Sequence, residues 1–173
     1  AILEGVATTY ADTEDIINSG KVNNMTAEDV LKIINLKHAW EFILNEYVIS
    51  SETNYYLLCQ INKLVEEGFY YNAGILGNIP VKTGGTTWIP NIPIEYQVKE
   101  NISLIINNLE TNDIDKSIEL LLFATKGQLF IDGNKRTALI FANHYLISHG
   151  LGLLVIPENK VDQYKKLLIE YYE

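Results

Sequence analysis

The stretch Gln128-Leu129-Phe130-Ile131-Asp132-Gly133-Asn134-Lys135-Arg136-Thr137-Ala138 decides how the rest of the chain is read. Beyond it, Ala138, Leu139, Phe141, Ala142, Tyr145 and Leu146 run nearly all round a helix that Gly150 ends. That pattern predicts a central, buried helix over 134–149. The quoted stretch is the loop feeding its start, with Gly133 permitting a tight turn. The first turn of a helix exposes unpaired N–H groups and the positive end of the dipole, which suits an anion. Lys135 and Arg136 oppose that dipole at a cost of about 0.3–1 kcal/mol each, and an anionic ligand reverses the cost. Asp132, beside the same spot, is placed to hold Mg2+ against phosphate oxygens. A second reading stays open here: a surface loop whose Arg136 pairs with an acidic neighbour.

Working outward, Thr26-Ala27-Glu28-Asp29 resembles a capping box, and Val30, Ile33, Ile34, Trp40 and Leu44 follow at helical spacing. Ser51 or Glu52 opens a second helix with Tyr55, Leu58, Cys59, Ile61, Asn62 and Val65 on one face, stopped near Gly68. Glu66-Glu67 reads as a solvated face. Helices are also expected over 94–109, from Asp113 to about 125, and from Glu158 to Tyr172. From Gly74 to Pro93 the chain turns rich in glycine and proline. There Ile79–Thr83 and Thr86–Ile89 flank Gly84-Gly85, which predicts a two-stranded hairpin with a primed turn. The expected fold class is mainly α, a helical bundle with one small β-hairpin.

The 173 residues suit one domain, and 47% hydrophobic against 20% charged residues is ordinary for a packed protein. A net charge of −9 argues against non-specific nucleic-acid or anionic-membrane binding. The lone Cys59 excludes an intrachain disulfide and a cysteine-based zinc site. No run is long enough to span a membrane and no secretory leader is visible, so a cytoplasmic location is expected.

The quoted stretch resembles the signature of the Fic/Doc (Fido) family, His-x-Phe-x-Asp/Glu-Gly-Asn-Gly/Lys-Arg. Asp132 to Ala138 fit its Lys-Arg-Thr-Ala variant, and Phe130 is in place. The resemblance implies a Fido-type helical bundle over 26–173 with a flap. It also implies an N-terminal segment, 1–25, that holds the candidate for a degenerate inhibitory helix. The activity implied is transfer of AMP or another phosphate-containing group from a nucleotide to a hydroxyl of a target protein, with ATP and Mg2+ as cofactors. By the same resemblance Asp132 holds the metal. Gly133, Asn134, Lys135 and Arg136 hold the phosphates, and Phe130 anchors the loop. Val81, Lys82, Thr83, Gly84, Gly85, Thr86 and Thr87 form the flap on which the target docks as an added strand. A regulatory partner or a homo-oligomer is compatible with this reading.

Two departures stand out. The family's general base is a histidine, and Gln128 stands there. An amide takes up no proton near neutral pH, and losing a general base costs about 10²–10⁴ in rate. Lys135 replaces the glycine of AMP-transferring members, and Leu139 stands where their later arginine falls. This resembles the Doc branch, associated with phosphate transfer and a reversed nucleotide. Thr13 to Asn18 is the candidate inhibitory motif, but Ile17 occupies its glutamate position, and an ordinary amphipathic helix reads the segment equally well. The expectation is therefore a transferase with weak, altered or absent activity; the alternative is a pseudoenzyme that binds nucleotide, phosphate or a protein partner.

Overall fold

A computed structural model describes residues 10–19, 25–81 and 86–173. Its helices are α1 (Tyr10–Ser19), α2 (Ala27–Leu44), α3 (Glu46–Ile49), α4 (Tyr55–Val65), α5 (Glu95–Asn107), α6 (Asp113–Lys126), α7 (Asn134–Ser148) and α8 (Val161–Tyr172). The starts follow local chemistry. Thr26, Asn54 and Asn112 cap α2, α4 and α6 by accepting from the N–H groups of Asp29, Leu57 and Asp115.

The bundle is built around α7. It packs most extensively on α6 and α4, and also on α2. Phe141, Ala138 and Ala142 have no exposed surface, as the all-round apolar pattern requires. Leu58, Ile61 and Val65 of α4, Leu120 of α6 and Val98 and Ile102 of α5 complete the core. Helix α1 lies on α2, where Ile16 is buried against Ile33. Ile17, in the glutamate position of the candidate inhibitory motif, is 39% exposed. No helix among the described residues is long and apolar enough to cross a membrane.

The expected hairpin is not confirmed. No strand occurs among the described residues. The groups that would build the second strand are committed elsewhere. Thr86 and Thr87 donate through their hydroxyls, and Thr87 through its N–H, to the Glu173 carboxylate at 2.6–3.3 Å. The N–H of Trp88 goes to the Thr86 hydroxyl, and its indole to the Lys126 carbonyl. Lys82, Thr83, Gly84 and Gly85 lie outside the described residues.

His144 is a structural histidine. It has no exposed surface and bridges the Thr53 hydroxyl at 2.8 Å and the Val48 carbonyl at 2.9 Å. Burial pushes it below its ordinary value of 6.5. The unfolded chain therefore binds this proton first as pH falls. Its contribution to stability is complete above the ordinary value and is lost as pH drops through the lowered native one. Urea midpoints should be higher at about pH 7.5 than at about pH 5.5, and the difference should shrink in His144→Gln.

Candidate functional site

Gly133 adopts the left-handed conformation, φ +72°, and turns the chain straight into α7. No side chain among the described residues caps this helix. The N–H groups of Asn134, Lys135 and Arg136 find no acceptor among the described residues, whereas Thr137 N–H already bonds the Gly133 carbonyl. The first turn of the most buried helix thus presents open donors.

The loop before it is fixed from within. The Asn134 side chain accepts from Phe130 N–H at 2.9 Å and donates to the Phe130 carbonyl at 2.8 Å. Phe130, 1% exposed, is the core anchor. Gln128 carries a positive φ of 43°, uncommon for a side-chain-bearing residue. Its amide donates to the Thr125 carbonyl at 2.7 Å and accepts from Asn134 at 3.3 Å. The Gln128 side chain is therefore buried and bonded to its own loop.

Asp132 is half-exposed at the mouth of the loop. Its Oδ1 accepts from Gly133 N–H at 2.7 Å, and the Tyr70 hydroxyl donates to Oδ2 at 3.4 Å. The Asp132 charge, followed by burial, pushes the Tyr70 phenol up, so Tyr70 keeps its proton and serves as a donor. No histidine hydrogen-bonds to this site. His38 is exposed on α2, His144 is bonded within the bundle, and His149 ends α7.

Sequence reasoning missed two residues. Asn62, 1% exposed, donates to the Asp132 carbonyl at 3.0 Å and to the Thr137 hydroxyl at 3.1 Å, and accepts from Gly74 N–H at 2.9 Å. Glu66, read above as solvated, is 1% exposed. Its carboxylate lies 2.9 Å from Arg136 Nη2. It also sits against Gly133, where an added Cβ would overlap Oε1 and stand 3.0 Å from the carboxyl carbon. The spacing Leu58, Asn62, Glu66 on α4 was the available signal, since i, i+4 residues share a helix face. Glu67 does face solvent.

The acidic-neighbour reading of Arg136 is thus part of the answer. The pairing is incomplete. Arg136 is 7% exposed, yet its Nε and Nη1 have no hydrogen-bond partner among the described residues. Asp132 Oδ1 is 3.8 Å from Nη2, too far for a hydrogen bond. Lys135 makes no ion pair among the described residues. The structure brings Gln128, Asp132, Gly133, Asn134, Lys135 and Arg136 together in one turn of chain. Of the expected flap, Thr86 and Thr87 are held by Glu173.

Residues 52–146, more than half of the chain, match the sequence model of the Fic/DOC family. The chain belongs to the Fic/DOC family. No curated protein matches it. Among solved structures, this Fic/DOC chain is similar to a Fic domain containing signaling protein from Bacteroides thetaiotaomicron, with TM-score 0.76, 18% identity, and coverage of 96% of this chain and 66% of that one. Fic-1 (aa134 - 508) from C. elegans gives TM-score 0.76 and 17% identity over 96% of this chain and 51% of that one. A Fic family protein from Desulfovibrio desulfuricans gives 0.75 and 13% over 96% and 53%. These likenesses establish a shared helical fold. The chain spans about half to two thirds of the length of those proteins.

Proposed function

We propose that this Fic/DOC domain holds the phosphate chain of a nucleotide at the start of α7 and acts towards a hydroxyl of a target protein docked along residues 81–87. The observation that carries the reading is the unmet donor set. Among the described residues, Arg136 Nε and Nη1 are buried without hydrogen-bond partners beside an uncapped helix start. Leaving buried donors unsatisfied costs about 1–3 kcal/mol each, and phosphate oxygens would remove that cost.

Mg2+ fits the residues present in a limited way. No group of three or more metal-ligating side chains occurs among the described residues. Magnesium commonly takes one or two carboxylates plus substrate phosphates, and the half-exposed Asp132 supplies one. When bound, the ion would neutralise phosphate charge. Asp132 would hold it, while the open N–H groups of Asn134, Lys135 and Arg136, turned by Gly133, and the Lys135 cation would face the same anion.

The group at position 128 sets the expected rate. Gln128 cannot take a proton from the target hydroxyl, and its amide is bonded to Thr125 and Asn134. This favours a second reading of the same site, binding without turnover. Calorimetric titration with Mg-ATP should show binding that Arg136→Lys weakens at least tenfold; no heat with the native chain would remove the nucleotide reading. Labelled ATP, offered with a lysate, separates the two readings. Transfer by the native chain supports an enzyme. Transfer after Gln128→His alone, increased by about 10²-fold or more, supports a site that binds without turnover. Label retained from the γ-phosphate, rather than the α-phosphate, would mark the phosphate transfer that Lys135 suggests.

A further inference from the structure

The exit of the flap is held by the groups that a strand would need. Glu173 lies just past α8. Its Oε1 accepts from the Thr86 hydroxyl at 2.6 Å and from Thr87 N–H at 2.9 Å, and its Oε2 from the Thr87 hydroxyl at 3.0 Å. The N–H of Trp88 turns back to the Thr86 hydroxyl at 3.0 Å. In a strand, successive N–H groups serve opposite edges. The donors of Thr87 and Trp88, one for each edge, are therefore both taken.

The support for this hold comes from the bundle. Lys126 ends α6 and gives its ammonium to the Tyr171 carbonyl at 2.7 Å. The same ammonium lies 4.9 Å from the centre of the Trp88 ring and 4.6 Å from that of Tyr171. The Trp88 indole donates to the Lys126 carbonyl at 3.3 Å. These contacts keep the end of α8 within reach of Thr86 and Thr87, and none of them uses the Glu173 carboxylate.

We propose that Glu173 is a latch: its carboxylate keeps Thr86 and Thr87 out of the hairpin that residues 79–89 encode, and the target docks when the carboxylate lets go. The proposal rests on residues 81–87 being the docking line. Local sequence preference favours a strand on both sides of Gly84-Gly85, yet no strand occurs among the described residues. Such a conflict between local preference and observed form marks a functional or strained place, and here it falls on the residues that the carboxylate grips. While the latch is closed, the docking-competent form is a fraction of the population, and affinity for the target is reduced by that fraction.

Glu173→Ala tests the latch at an exposed position. Backbone chemical shifts over 86–89 should move from irregular to strand values, with cross-strand NOEs between Val81 and Trp88. Thr86→Val reaches the same bonds from the flap. It keeps the β-branched shape, lacks the hydroxyl and should give the same spectra. Irregular shifts in both variants overturn the proposal. Transfer gives a second readout. In a Gln128→His background, Glu173→Ala should raise transfer of label from Mg-ATP to lysate protein by about tenfold, with Mg-ATP affinity unchanged. Unchanged or lower transfer overturns the latch. Strand shifts without label from either background would support the latch and remove the target reading instead.

Discussion

Glu66→Ala is expected to lower folding stability by about 3–5 kcal/mol in phosphate-free buffer. The substitution leaves the guanidinium of Arg136, 7% exposed, without the carboxylate that lies 2.9 Å from Nη2. A buried cation that has lost its counter-ion suffers most of the desolvation cost with nothing in return. In a domain of this size each kcal/mol moves the melting temperature by about 2–4 °C, so the loss is easily read by calorimetry. Added inorganic phosphate should then restore part of the stability, and restore more of it in Glu66→Ala than in the native chain, by mass action on the folded state. Loss of stability without that selective rescue would show Glu66 to be a core counter-ion only, with no anion able to take its place.

Gly133→Ala should be the second large effect, at about 3 kcal/mol. Two costs coincide there. The backbone is left-handed at φ +72°, which strains an L side chain by roughly 1–2 kcal/mol. The new methyl would also overlap the Glu66 carboxylate. Gly150 separates the two costs. It has φ +68° and open space where a Cβ would stand, so Gly150→Ala carries the backbone cost alone, about 1 kcal/mol. The excess at Gly133 measures crowding. In a Glu66→Ala background that excess should disappear, and equal losses at both glycines in the native background would show that Glu66 does not press on the turn.

These two residues mark how far the sequence could be read. Helix positions were legible because their causes are local: Thr26 and Asn112 cap where the apolar spacing begins, and the all-round apolarity of α7 does place it at the centre. The loop from Gln128 to Arg136 was legible as a helix entrance for the same reason. Glu66 was not. Its partner lies 70 positions later in the chain, and two adjacent glutamates look solvated unless the Leu58–Asn62 face of α4 is followed one turn on, just past Val65. The stretch from Thr86 to Trp88 misled differently. Threonine and tryptophan suit a strand, but their hydrogen bonds go to Glu173, Lys126 and back to Thr86, distant or local partners that no pattern of alternation encodes.

Asn62 has a mechanical consequence. One planar amide, with a single rotatable plane, grips the Asp132 carbonyl, the Thr137 hydroxyl and Gly74 N–H at once. Rotating it to follow any of the three breaks faith with the other two. The chain at Gly74, the main chain at Asp132 and the first turn of α7 are therefore tied to one pivot, so Asn62→Ala would free all three at once.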